Sequence, residues 1–150
     1  MRIYIPLTLS DLRENSISMR RVHAVTPALR SEVPNEDDEG YEYIATLAAA
    51  DDSLRLLQRM PGEKLSRVVA VAVVSDNALQ PVTDPELPTE VDLNAEVLWH
   101  EVESFHVDAP GSEDLVKQAI AGDEDAFIAT GDIELLWFDI SEREHIGLGL

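Results

Sequence analysis

The chain has 150 residues, 45% of them hydrophobic, no cysteine, and 30 acidic against 11 basic side chains, a formal charge of -19. This is the size and composition of a single globular domain with a sizeable core, and it excludes disulfides, thiolate metal sites, iron–sulfur clusters and a cysteine nucleophile. The charge argues against direct nucleic-acid binding, which needs a cationic surface; no run reaches the ~20 apolar residues of a membrane span and the N-terminus lacks a signal peptide's apolar stretch, so no membrane association and a cytoplasmic location are expected.

Arg2-Ile3-Tyr4-Ile5-Pro6 is apolar, β-branched and closed by a proline, and reads as the first strand. Thr8 with Asp11 three residues on has the capping-box pattern of a short helix reaching Asn15. Residues 22–26, ending before Pro27, read as a second strand, because the proline ring biases its predecessor toward extended backbone. Residues 31–40, rich in Pro, Asn, Asp and Glu, read as a mobile loop. A helix over 41–60 follows: Tyr43, Leu47, Ala50, Leu54 and Leu57 recur at spacings of four and three, building one apolar stripe that Ile44 and Ala48 widen. Asp51 is placed to pair with Arg55 on the opposite face, worth about 0.3 kcal/mol, and Pro61-Gly62 supplies the stop.

Residues 68–74 contain only valine and alanine, which predicts a central strand covered on both faces. Prolines 81, 85 and 88 keep 76–88 out of any regular ladder, leading to a strand near 91–97, a turn around 100–103 and a strand over 105–107. Gly111-Ser112 opens a helix with Glu113 and Asp114 in its first turn and Leu115, Val116, Ala119 and Ile120 on its buried side, ended by Gly122. A helical turn at 124–130 precedes the last strand, 133–138, and the tail after Ser141 is expected to fray. This order predicts an α+β fold, a mixed sheet with helices packed on it, whose alternation resembles the β-α-β units of ferredoxin-like folds.

Charge is unevenly spread. Residues 1–67 carry nine of the eleven basic side chains against eleven acids, whereas beyond them only Lys117 and Arg143 face nineteen carboxylates. Such a region attracts cations or basic proteins, although a general solubility role is the preferred explanation of the charge alone. Glycine-rich phosphate loops and a G-x-S-x-G elbow are absent from the sequence. His100-Glu101 opens like a zinc-protease H-E-x-x-H helix, but Ser104 replaces the second histidine, so no metal site is expected. His106 and Asp108 lie two apart on a strand and share one face, where a half-buried structural histidine competes with a functional one. Asp37, Asp38, Glu39 and Glu42 gather oxygens without the spacing of a calcium loop. Trp99, Trp137, Phe138, Tyr4, Tyr41 and Tyr43 are expected mainly in the core, with the unalternated Leu135-Leu136-Trp137-Phe138 run covering a helix or a second subunit; a homodimer is the corresponding expectation.

Taken in order, Arg2-Ile3-Tyr4-Ile5-Pro6, Ala24-Val25-Thr26-Pro27-Ala28-Leu29-Arg30, Glu42-Tyr43-Ile44-Ala45, Ser53-Leu54-Arg55-Leu56-Leu57, Arg67-Val68-Val69, His106-Val107-Asp108 and Glu134-Leu135-Leu136-Trp137 resemble a family of small actinobacterial proteins classed as a domain of unknown function. The resemblance implies a bacterial cytoplasmic protein of one compact domain, assigns no activity and no cofactor, and singles out Arg30, Glu42, Arg55, His106 and Asp108 as cleft candidates.

Three functions compete. The first is a noncatalytic interaction or regulatory protein with a basic protein partner, motivated by the missing catalytic signatures and the acidic second half. The second is a small enzyme in which His106 acts as acid or base, oriented by Asp108, with Arg30 or Arg55 holding an anionic substrate. The third is a nucleic-acid mimic presenting ordered carboxylates. The first is favoured.

Overall fold

The computed structural model describes residues 1–148. Seven strands form one sheet: β1 (Arg2–Leu7), β2 (Arg21–His23), β3 (Val68–Val73), β4 (Leu79–Pro81), β5 (Glu90–Leu93), β6 (Val102–Asp108) and β7 (Leu135–Asp139), in the spatial order β4-β5-β2-β1-β3-β6-β7. The helices are α1 (Pro27–Glu32), α2 (Asp38–Arg59), α3 (Glu113–Ile120) and α4 (Glu124–Ala129). The α+β class is as predicted, but the sheet is not mixed, since every pairing is antiparallel. One split β-α-β unit is present: β2 and β3 run parallel on either side of β1, joined through α1 and α2. The second helical connection, α3 and α4, joins β6 to its antiparallel neighbour β7, so the two-unit ferredoxin-like arrangement is not formed.

Alternation along the strands explains the two layers. Ile3, Ile5 and Leu7 of β1, Val68, Ala70 and Ala72 of β3, and Phe105 and Val107 of β6 bury one face beneath the irregular segments that carry Leu9, Leu12, Ile17, Val97 and Ile146. Tyr4, Val69 and Val71 line the other face beneath Ala45, Ala49 and Ala50 of α2. Leu54, Ala119 and Ala126 join α2 to α3 and α4. The valine–alanine run is an inner strand covered on both sides, as its composition requires.

Several local expectations are corrected. Helix α2 begins three residues early because Asp37 caps it, accepting from the Gly40 N–H at 2.7 Å. A helix not read from the sequence, α1, is capped by Thr26 with Pro27 in its first turn, and its last two residues, Ser31 and Glu32, take up the start of the segment read as a loop. The buried stripe of α2 is rotated from the predicted one: Ala50, Leu54 and Leu57 are buried, but Tyr43 is 58% exposed and small residues replace it against the sheet. Arg55 pairs with Asp52 at 2.8 Å, not with Asp51. Residues 79–81 do join a ladder despite Pro81, since β4 is an edge strand and needs no outward N–H. The tail does not fray through Leu148: a 3-10 helix over Ile140–His145 leads to buried Ile146, and the Arg13 guanidinium donates to the carbonyls of Arg143 and Ile146. Gly149 and Leu150 lie outside the described residues. Among the described residues, no helix is long and apolar enough to cross a membrane.

Candidate functional site

Because its contact face is built from alanines, α2 sits close over β1 and β3, and α3 and α4 gather at its C-terminal half. The strands β6 and β7 beside its N-terminal half stay uncovered. The result is a groove of about 960 Å³, floored by Val71, Ser104, His106 and Trp137 and walled by Tyr43, Thr46 and Leu47 of α2, with residues 131–135 at its far end. Tyr43, read from sequence as part of the buried stripe, and Trp137, read as covering a helix or a second subunit, are exposed lining residues of this groove, Trp137 with 61% of its surface exposed.

The groove is strongly acidic. Glu39, Glu42, Glu103, Asp132, Glu134 and Asp139 line it, and Arg2 is the one Lys or Arg among the described lining residues. Arg2 is already engaged, donating to Glu103 at 3.0 Å and to Glu42 at 3.1 Å. The Glu103 hydrogen bond and charge, followed by those of Glu42, hold the guanidinium above its ordinary value. Glu103 enters the groove through a β-bulge: Val71 pairs with Ser104 and Ala72 with Val102, so Glu103 has no partner and turns beside Ser104. Tyr4 beneath the groove is pushed up to about 12 by burial and by the nearby Glu42. At the other rim Ser141, through its side chain first and then its backbone N–H, holds the Asp139 carboxyl below its ordinary value.

The five candidates from sequence fall in different places. Glu42 and His106 both line the groove. His106 stands across from Trp137, and its imidazole makes no hydrogen bond to any described residue; burial holds that imidazole below the ordinary value, leaving it neutral near pH 7. Asp108 shares the strand face of His106 but is committed elsewhere. Its oxygens accept from the Arg67 Nε at 3.0 Å, the Arg67 Nη2 at 2.9 Å and the Arg67 backbone N–H at 2.8 Å. Arg30 lies outside this groove, pairing with Asp38 at 3.6 Å and stacking over Tyr41. Arg55 sits on the other flank of α2, against Asp52 and the Phe127 ring.

Two polar centres escape sequence reasoning. Arg67 is 1% exposed and its Nη2 also donates to the Thr130 carbonyl at 2.9 Å. Nothing in a lone arginine before a strand announces burial. His23 is fully buried, bonded through Nδ1 to the Thr89 hydroxyl at 2.7 Å and through Nε2 to Asp52 at 2.6 Å, which ties β2 to α2 and to the segment before β5. Although burial pushes Asp52 up, its bonds with His23 and Arg55 prevail and hold it below the ordinary carboxylate value. On that flank a second cavity of about 740 Å³ carries Arg20, Arg21, Arg55 and Arg59 with Asp11, Asp52, Glu86 and Glu90, so its charges balance.

Chemically, the acidic groove offers carboxylates for cationic groups, two exposed aromatic faces that attract the same groups, and one neutral imidazole. Comparison with curated proteins found no match, and none of the solved structures matched. One family model covers residues 1–146, and the chain belongs to that family, DUF6912, a family of unknown function.

Proposed function

We propose that this is a noncatalytic interaction or regulatory protein of the actinobacterial cytoplasm, folded as one domain, whose acidic groove receives a basic segment of a protein partner. The observation that carries this reading is the convergence of six carboxylates from both halves of the chain on one concave surface rimmed by exposed Trp137 and Tyr43. Exposed tryptophan and tyrosine are the residues that most often anchor interfaces, and a cationic side chain meets both a carboxylate and a ring face there.

The enzymatic alternative draws support from His106 alone, a neutral imidazole facing the groove. With Asp108 held by Arg67 and Arg30 and Arg55 lying elsewhere, that alternative has neither the orienting carboxylate nor the anion clamp that it requires.

The test is affinity capture with the wild-type protein and with an Asp132→Lys/Glu134→Lys variant, at about 50 mM and about 500 mM salt. A basic protein retained by the wild type at low salt, released at high salt and not retained by the variant is expected. Identical retention by both proteins would refute the groove as the binding surface.

A further inference from the structure

Both ends of the sheet are edges, and they are built differently. Strand β4 is three residues long and ends in Pro81, two devices that discourage pairing with another chain. Strand β7 has five residues, LLWFD, with neither proline nor lysine.

The phase of the β6–β7 ladder shows which of its peptide groups are free. Asp108 stands opposite Leu135, and the Ala109 N–H donates to the Glu134 carbonyl at 2.9 Å. This is the pattern of a non-hydrogen-bonded pair. The same holds two residues on for His106 and Trp137, while Leu136 and Phe138 bond to β6. The N–H and C=O groups of Leu135 and Trp137 therefore point outward from the sheet, and no described residue bonds to either N–H. The next outward N–H, that of Asp139, is taken by the Glu142 carboxylate at 2.8 Å, which marks the end of the usable edge.

Resting on the reading of the groove as a binding surface for a basic partner, we infer that the partner's segment binds as an extended strand added to β7, with basic side chains at alternate positions. A residue opposite Trp137, and the one two away opposite Leu135, would bond to this edge and turn their side chains toward the groove face, where Asp132, Glu134 and Asp139 lie. The intervening side chain falls on the opposite sheet face, beside Leu136 and the partly buried Phe138 and Ile140, where an apolar group fits. A basic–apolar–basic alternation is thus the complementary pattern. A second copy of this acidic chain is the wrong occupant, because its own carboxylates would be set against these.

The probe is a capped heptapeptide with lysine at odd and valine at even positions, titrated by calorimetry at low salt. Two modified forms accompany it, N-methylated on every lysine amide or on every valine amide. Strand addition predicts that lysine-amide methylation weakens binding at least tenfold, since those N–H groups face β7, and that valine-amide methylation changes it less than threefold. Backbone amide shifts at Leu135 and Trp137 should move with the unmodified peptide. Equal effects of both methylations, or equal binding of a peptide of the same composition with its lysines clustered at one end, would overturn strand addition while leaving the acidic groove as a binding surface. Failure of every basic peptide to bind at low salt would overturn both, and a dimer in sedimentation that blocks the peptide would assign the edge to a second copy.

Discussion

Removing the carboxylate of Asp108 should unfold the protein far more readily than its place on a groove-facing strand suggests. Arg67 is 1% exposed and Asp108 7%, and the carboxylate accepts from Nε, Nη2 and the backbone N–H of Arg67. The guanidinium has one other acceptor, the Thr130 carbonyl, and its Nη1 has no partner among the described residues. In Asp108→Ala a cation stays buried without its counter-charge, a change that costs about 3–5 kcal/mol. For a chain of this size that corresponds to a fall in Tm of roughly 6–20 °C. Urea unfolding followed by far-UV circular dichroism measures it. The double variant Arg67→Met/Asp108→Leu replaces the pair with apolar groups and should recover part of the loss, since what then remains is mainly the unpaired Arg67 N–H, worth about 1–3 kcal/mol. A loss below about 1 kcal/mol in the single variant, or a double variant less stable than the single one, would refute the reasoning.

Ala49→Leu should cost about 1–3 kcal/mol by overpacking the α2–sheet contact, whereas Tyr43→Ser at the groove rim should change stability by less than about 0.5 kcal/mol; thermal unfolding distinguishes these from the reverse order that the predicted stripe implies. Ser53→Ala removes a hydroxyl that donates to the Leu7 carbonyl at 2.7 Å and accepts from the Val68 N–H at 3.0 Å, and two buried groups left unpaired should cost about 2–4 kcal/mol in urea. Ile146→Ala should cost about 2–5 kcal/mol, a loss that a frayed tail would not show. His106 should titrate below its ordinary value of about 6.5 when followed by NMR. Above that pH the ring is neutral folded and unfolded and adds no pH dependence; as pH falls, the unfolded chain takes the proton first, so stability drops until the folded-state value is passed. His106→Gln should flatten that segment of the stability curve.

The strand and helix sequence was largely legible because it depends on periodicity and on prolines and glycines. The valine–alanine run, the α3 opening at Glu113 and the stop at Gly122, with φ of +101°, follow from local rules. Strand order was not, because nothing local tells β1 to lie between β2 and β3. The orientation of α2 was misread because large apolar residues are the natural choice for a buried stripe. Here alanines are buried, and Tyr43 and Leu47 overhang the groove instead. Of the five cleft candidates, Glu42 and His106 line the groove, but the groove combines Glu39 and Glu42 with Glu103, Asp132, Glu134 and Asp139 from the far half of the chain, and only topology unites them. Asp108 was noticed for a polar side chain on a strand; its partner Arg67, forty-one residues earlier, could not be.

The border that β7 presents also bears on how the protein behaves in bulk solution. At neutral pH, mutual repulsion between carboxylates such as Asp132, Glu134 and Asp139 keeps neighbouring molecules apart. Near the sequence pI of about 4.3 that repulsion vanishes, and an outward row of unsatisfied peptide groups beside Leu135 and Trp137 is left undefended. Mild acid should therefore turn a dispersed preparation turbid while its far-UV spectrum still reports the native fold.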